Sequence, residues 1–236
     1  MRILLLSDIH ANWTALQAVL NAEAAFDACL VLGDLVEFGP EPHEVVQWVR
    51  QNATAAVRGN HDHSVAEFMK PQRDDTPWHQ LRNQMRYVQW QKLTAMDLHY
   101  LRNLPLRKEL KLDSLQFQLI HASPRDPLNE YLDDDPAVWN RRAGDVQGDF
   151  LCVGHTHRPL ILQLKQIQLI NPGSVGQQKE GGFFAAYAII ENGVPELKTV
   201  AYPAAELLEA FRRAGASAKT IQLAERIYEH GFTMED

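Results

Sequence analysis

The chain has 236 residues, 45% of them hydrophobic and 22% charged, the balance of an ordinary globular protein with enough length to bury a core. Its 23 Lys and Arg against 30 Asp and Glu give a net charge of −7, which argues against broad, sequence-blind binding to nucleic acid or to an anionic membrane. The two cysteines, Cys29 and Cys152, sit in apolar runs and make neither a disulfide framework nor a Cys-rich zinc pattern, which fits a reducing compartment.

Arg2 to Leu6 is an apolar run that ends at Ser7-Asp8. It is too short for a signal core or a membrane span, so it reads as a buried strand of a cytoplasmic protein. Asn12 can cap the next helix, in which Trp13, Leu16, Val19 and Leu20 recur at helical spacing. Ala28 to Leu32 reads as a second strand, Pro42 to Asn52 as a helix with proline in its first turn, and Ala53 to Val57 as a third strand. This βαβαβ order implies parallel strands with helices across their faces. Ser64 to Leu104 is polar and helical, an insertion beside or over the site. Apolar runs follow at Arg107 to Leu112, Leu115 to Ile120, Phe150 to Val153, Leu160 to Leu164, Gln166 to Ile170, Phe183 to Ile190 and Glu196 to Ala201. Turn signals at Asp113-Ser114 and Glu191-Asn192-Gly193 separate adjacent runs, and this half predicts a second sheet rich in antiparallel hairpins. Two short helices close the chain and pack on the outer face. Leu207, Leu208 and Phe211 mark the first, which Gly215 ends; Ser217 caps the second, with Ile221, Ala224, Ile227 and Tyr228 as its apolar positions. Without a repeat or a linker, residues 1–236 read as a single domain, with a helical insertion at about 64–104 and C-terminal helices at about 204–230.

Metal-ligating residue types recur where strands end. Asp8 and His10 follow the first strand, Asp34 the second, and Asn60 and His61 the third; His121 follows Leu115 to Ile120, and His155 and His157 follow Phe150 to Val153. Alone, each has a bland reading as a turn former, a cap or a surface residue. In an α/β sheet, however, the carboxyl ends of the strands share a rim where ligands bind, so these residues are expected to converge. Imidazole nitrogens mixed with carboxylate and amide oxygens suit manganese, iron, zinc, cobalt or nickel better than an all-oxygen calcium or magnesium cage. Two ions about 3.5–4 Å apart need a ligand that touches both, which a carboxylate can do and a neutral imidazole cannot.

Asp8-Ile9-His10, Gly33-Asp34, Gly59-Asn60-His61-Asp62, His121 and Gly154-His155-Thr156-His157 resemble, in order, the motifs of the calcineurin-like metallophosphoesterases. Asn171-Pro172-Gly173-Ser174 resembles their small prokaryotic, YfcE-like branch. The resemblance implies an α/β fold, a four-layer αββα sandwich of two mixed β-sheets. It implies that Asp8, His10 and His157 bind one ion, that Asn60, His121 and His155 bind a second, and that Asp34 bridges them. It makes His61 a catalytic residue oriented by Asp62. The implied cofactor is a pair of divalent ions, manganese first and iron, nickel, zinc or cobalt as alternatives. The implied reaction is attack on a phosphoester by a hydroxide held between them, with imidazolium His61 assisting the leaving group.

One departure bears on substrate. Protein Ser/Thr phosphatases and diadenosine-tetraphosphate hydrolases of this superfamily carry Asp-Arg-Gly and Gly-Asn-His-Glu, where this chain has Glu37-Phe38-Gly39 and a motif ending in Asp62. With Phe38 in place of a phosphate-gripping arginine, a phosphodiesterase is favoured over a phosphomonoesterase or a protein or nucleotide phosphatase. Arg125 and Arg158 are candidate substrate contacts. Trp78, Trp90, Arg73, Arg82 and Arg86 of the insertion belong either to a stacking surface for a base or peptide or, as the favoured reading, to a solvated helix with a few core aromatics. A metal-free scaffold, the use of this fold in a retromer subunit, predicts missing ligands, and none is missing; a non-catalytic, metal-bound regulatory module, with the C-terminal helices as its contact surface, is the other alternative to an enzyme. The expected partner is a small phosphoester, with no membrane and no strong nucleic-acid signal; the oligomeric state is not legible.

Overall fold

Alternate residues of β1 (Arg2–Leu6) enter different layers: Ile3 and Leu5 join one apolar cluster, Leu4 and Leu6 another. That is the signature of a strand covered on both faces. The computed structural model describes residues 1–71 and 76–231; Arg73, singled out above, lies outside the described residues. The remaining elements are α1 (Trp13–Ala22), β2 (Ala28–Val31), α2 (Pro42–Asn52), β3 (Ala55–Ala56), α3 (Asn60–Ala66), α4 (Pro77–Lys92), α5 (Ala95–Asn103), β4 (Arg107–Leu112), β5 (Leu115–Ile120), α6 (Pro136–Ala143), β6 (Phe150–Cys152), β7 (Leu160–Gln163), β8 (Gln168–Asn171), β9 (Phe184–Glu191), β10 (Val194–Ala201), α7 (Ala204–Arg213) and α8 (Ala218–His230).

The strands form two mixed five-stranded sheets, in the orders β10-β9-β1-β2-β3 and β4-β5-β6-β8-β7. In the first, β1, β2 and β3 are parallel and β9 runs antiparallel to both β1 and β10. In the second, β5, β6 and β8 are parallel, with β4 and β7 antiparallel at the edges. Three apolar clusters mark the three spaces between layers. Ile3, Leu5, Leu30, Phe117, Phe150 and Ile170 fill the space between the sheets. The helices α1, α2, α7 and α8 cover the outer face of the first sheet through residues such as Leu16, Val46, Phe211 and Tyr228. Trp139 and Ala143 of α6 cover Leu151 and Leu169 on the second. The expected αββα sandwich is therefore present. Cys29 and Cys152 are buried free thiols in different clusters, and burial pushes the Cys29 thiol up to about 12.

The expectation that every strand after the insertion joins a second sheet is corrected. The hairpin β9–β10 returns to the first sheet, pairing Ile3 with Ile190 and Leu5 with Ala188. Its turn at Asn192-Gly193 has both residues at positive φ, 51° and 81°, as a two-residue hairpin turn requires. The run Ala53 to Val57 forms only a two-residue strand, although its neighbours stay tied to β2 through Thr54 N–H to Cys29 O at 2.8 Å and Val57 N–H to Val31 O at 3.0 Å. Helix α6 was not foreseen; Asp135 caps it by accepting the Ala137 N–H at 2.8 Å.

The caps foreseen at Asn12 and Ser217 are made, each side chain accepting a backbone N–H of the first turn. Helix α8 braces the insertion: Thr220 Oγ1 donates to Gln84 Oε1 of α4 at 2.6 Å. No helix among the described residues is long and apolar enough to cross a membrane.

Candidate metal centre

The carboxyl ends of β1, β2, β3, β5 and β6 bring the motif residues together in two groups, Asp8 with His10 and His157, and Asp34 with His121 and His155. Within each group the candidate ligand atoms all lie within 4.8 Å of one another. Asp8, His10, Asp34, His121 and His157 are buried and His155 is partly so. Asn60, the first residue of α3, points its Oδ1 at His121 Nε2 and His155 Nδ1, 3.1 Å from each. Asp34 Oδ2 lies 3.2 Å from His121 Nε2, and the fields of both His121 and His10 act on the Asp34 carboxylate, one imidazole from each group.

The donor set fits cations on its hydrogen bonding alone. His10 Nδ1 donates to Val36 O at 3.0 Å and His157 Nδ1 donates to Gln177 O at 2.7 Å. In the neutral His10 ring that fixes the lone pair on Nε2. The two Nε2 atoms face each other at 3.1 Å, with Asp8 Oδ1 at 3.3 Å from His157 and 3.9 Å from His10. Burial holds the His10 pKa down at about 3, so this ring stays neutral, and Asp8 Oδ1 is buried without a hydrogen-bond donor. Imidazole nitrogens and a carboxylate oxygen converging on one buried space make a donor set that can hold a positive ion. In the second group, burial and the neighbouring His121 lower His155 to about 4. Burial opposes the charged form of His121 too, but Asp34 prevails and raises it to about 9. A cation entering here displaces that proton.

The backbone is bent to present these groups. Asp8, His10, Asp34, His155 and His157 all have φ between 49° and 66°. Such left-handed positions cost non-glycine residues about 1–3 kcal/mol each and persist only where surrounding structure over-determines them. Here that structure is a web of short hydrogen bonds. Asp8 N–H donates to Gly33 O at 3.0 Å and His10 N–H to Asp34 O at 2.9 Å. Ser174 Oγ donates to Asp8 O at 2.8 Å, and Asn171 Nδ2 to Gly154 O at 2.8 Å, so the Asn-Pro-Gly-Ser motif supports two ligand loops. Ser7 Oγ donates to Asp8 Oδ2 at 2.5 Å, a support that sequence reading missed. Gly59 has no room for a side chain: a Cβ would stand 2.0 Å from Asp34 Oδ1.

Asp62 does not orient His61, contrary to expectation. Its carboxylate accepts the Asp34 and Leu35 N–H groups at 2.8 Å and the Gly59 N–H at 2.9 Å, so it holds the Asp34 loop against the start of α3. The His61 ring is held by Glu37, whose Oε2 pairs with Nδ1. The other Glu37 oxygen pairs with buried Arg86 of α4, which also donates to Met69 O at 2.8 Å. Gln89, one turn on, accepts the Glu37 N–H at 2.7 Å and donates to Gly39 O at 2.7 Å. The helical insertion thus anchors the loop that positions His61. Burial disfavours the His61 imidazolium, but Asp34 and Glu37 outweigh it and raise the pKa. Sequence reading missed Glu37 and Gln89 as functional residues and offered Arg86 only as part of a recognition surface or solvated helix, not as the partner of Glu37; the spacing of Glu37 three residues after Asp34 was the available signal.

A cleft of about 410 Å³ opens over the two groups. Phe38, fully buried, forms part of its wall, 5.3 Å from the His61 ring centroid. The other two expected substrate contacts do not line it. Arg125 turns to Glu130 at 2.9 Å and Arg158 to Asp133 at 3.7 Å, with both arginines more than half exposed. The cations of the lining are Arg82, on α4, and Lys179.

A family model described as the calcineurin-like phosphoesterase superfamily domain matches residues 1–192. A metallophosphoesterase crystal structure from Sphaerobacter thermophilus is 31% identical, covers 95% of this chain and 98% of its own, and superposes with a TM-score of 0.79. A Pyrococcus horikoshii protein of 20% identity shares the fold over 98% of each chain with a TM-score of 0.82. Phosphodiesterase YfcE of Escherichia coli is 27% identical over 206 residues, 82% of this chain and 89% of its own length.

Proposed function

Because this chain belongs to the calcineurin-like phosphoesterase superfamily, we propose that it is a metal-dependent phosphodiesterase acting on a small phosphoester. The observation that carries this reading is the pair of buried ligand groups beside a His61–Glu37 pair, under one open cleft. Asp8, His10 and His157 would hold one divalent ion, Asn60, His121 and His155 a second, and Asp34 would serve both. Such a pair supplies hydroxide near neutral pH and neutralises charge on the phosphoryl oxygens.

The chain's own residues do the rest. Asp34 Oδ1 accepts the His61 N–H at 2.9 Å, locking the bridging carboxylate to the segment that carries the proton donor. His61 Nε2 lies 3.9 Å from Asp34 Oδ2 and presents a proton toward the cleft. Glu37, which stands outside both ligand groups, pairs with Nδ1 and would keep that proton in place until the leaving oxygen takes it, including when a bound ion offsets the charge of Asp34. Phe38 puts an apolar ring where an arginine would grip a second phosphate charge. A diester, with one negative charge and a second arm, suits that wall better than a dianionic monoester. The name of the Escherichia coli relative supports the same reading. The helices α4 and α8 belong to the catalytic unit, since they brace Glu37, and the buried thiols suit a reducing cytoplasm. Manganese is the first ion to try, on the mixed nitrogen and oxygen donors.

The test is turnover of bis(p-nitrophenyl) phosphate by metal-stripped protein with manganese restored, against p-nitrophenyl phosphate. Faster diester cleavage that chelator abolishes is the expected outcome. Cleavage of the monoester alone, or turnover by stripped protein, overturns the proposal.

A further inference from the structure

Three segments must hold their places for His61 to act. The ring belongs to the first turn of α3, the carboxylate that pairs with it belongs to the loop after β2, and α4 of the insertion bonds to both. The loop is a poor support by itself. Glu37 and Phe38 have φ of 68° and 59°, left-handed values that non-glycine residues keep only where surrounding structure imposes them. The Glu37 side chain is divided between two partners, Oε2 on His61 Nδ1 and Oε1 on Arg86 Nε. A carboxylate held at one oxygen keeps rotamer freedom, whereas one held at both has a single position.

Arg86 also reaches the helix that carries His61. Its Nη1 donates to Met69 O at 2.8 Å, and the Met69 N–H donates back to Ser64 O of α3 at 2.9 Å. One turn along α4, Trp90 Nε1 donates to Val65 O at 3.0 Å. One guanidinium, only 4% exposed, therefore spans both halves of the His61–Glu37 pair. Stability alone is a weak reason for such a group, because a well-packed apolar pair often serves a core as well as a buried ion pair does. We infer that Arg86 is a positioning residue for the reaction: it fixes the Glu37 carboxylate relative to α3, and so aims His61 at the leaving oxygen. The inference rests on the phosphoesterase reading of the site and adds the residue behind its proton donor.

That role has a kinetic mark that a purely structural one lacks. Hydrolysis adds water across one P–O ester bond, the hydroxyl going to phosphorus and a proton from His61 to the leaving oxygen, with no redox change. Phenoxide, a basic leaving group, depends on that proton far more than p-nitrophenoxide does. In manganese-loaded Arg86→Met the loss of kcat should be about tenfold greater for diphenyl phosphate than for bis(p-nitrophenyl) phosphate, a part of the 10²–10⁴ range of a positioned acid, with manganese content unchanged. In a His61→Ala background Arg86→Met should add no such bias, since the group it serves is gone. Arg86→Lys keeps a cation for Glu37, guards against a variant that fails to fold, and should show the same bias in smaller measure. Equal losses on the two esters in both variants, or a bias that persists without His61, overturn the inference and leave the diesterase standing. If the unsubstituted protein cleaves neither diester, the diesterase reading falls, and phenyl phosphate against p-nitrophenyl phosphate decides the role of Arg86 by the same ratio. A protein that hydrolyses none of the four esters overturns both.

Discussion

Asp34→Asn should lower kcat/KM for bis(p-nitrophenyl) phosphate by about 10³-fold or more, roughly 4 kcal/mol of transition-state stabilisation, while leaving a folded protein. The substitution keeps shape and one oxygen, so the Asn side chain can still accept the His61 N–H that Asp34 Oδ1 accepts at 2.9 Å. The change is in charge and bridging capacity. Asp34 lies 3.2 Å from His121 Nε2, and imidazoles of both groups act on its carboxylate. An amide oxygen is a weaker bridge between two cations and cancels none of their repulsion, so manganese content should fall below two per chain. The loss should exceed the roughly 10–100-fold carried by residues that only orient metal ligands. Kinetics, metal analysis and a thermal melt on the same preparation check it. Unchanged turnover with two ions bound removes the bridging assignment.

His61→Ala should lower kcat by about 10²–10⁴-fold, the range for loss of a positioned proton donor, with metal content unchanged. His61 is not among the ligand groups, so its loss should spare the ions. Glu37→Gln should reproduce a smaller part of the same kinetic loss, because an amide cannot hold a proton on Nδ1 by charge. Breaking the Glu37–Arg86 pair also leaves a buried guanidinium uncompensated, a cost of about 3–5 kcal/mol. The melting temperature of Glu37→Gln should therefore fall, whereas that of His61→Ala should hold. Full activity of His61→Ala with two metals bound contradicts the proton-donor role.

The centre was legible because it obeys a rule independent of detail. Polar metal ligands that follow apolar strands must gather at the sheet rim, and Asp8, Asp34, Asn60, His121 and His155 do so. The layers were legible for a similar reason, since period-two burial in β1 and the Asn192-Gly193 turn are local signals. What failed was non-local or geometric. Nothing within β9 states that its partner is β1, more than 180 residues earlier in the chain, so the hairpin was given to the wrong sheet. Asp62 seemed a natural partner for its neighbour His61, but both are in α3, where consecutive side chains diverge by about 100°. Its carboxylate turns back to the Gly59 N–H instead. Glu37 was hidden in a loop whose φ values of 68° and 59° at Glu37 and Phe38 follow no periodicity. Arg86 was noted only as one arginine of the insertion, and its pairing with Glu37 carried no signal until α4 was seen to lie against that loop.

The most direct measurement is anomalous X-ray scattering at the manganese edge from crystals of manganese-loaded protein. Two peaks in one site are expected, one bounded by Asp8, His10 and His157, the other by Asn60, His121 and His155, with the Asp34 carboxylate between them. An active protein with one peak, or with none at these side chains, contradicts the two-ion centre.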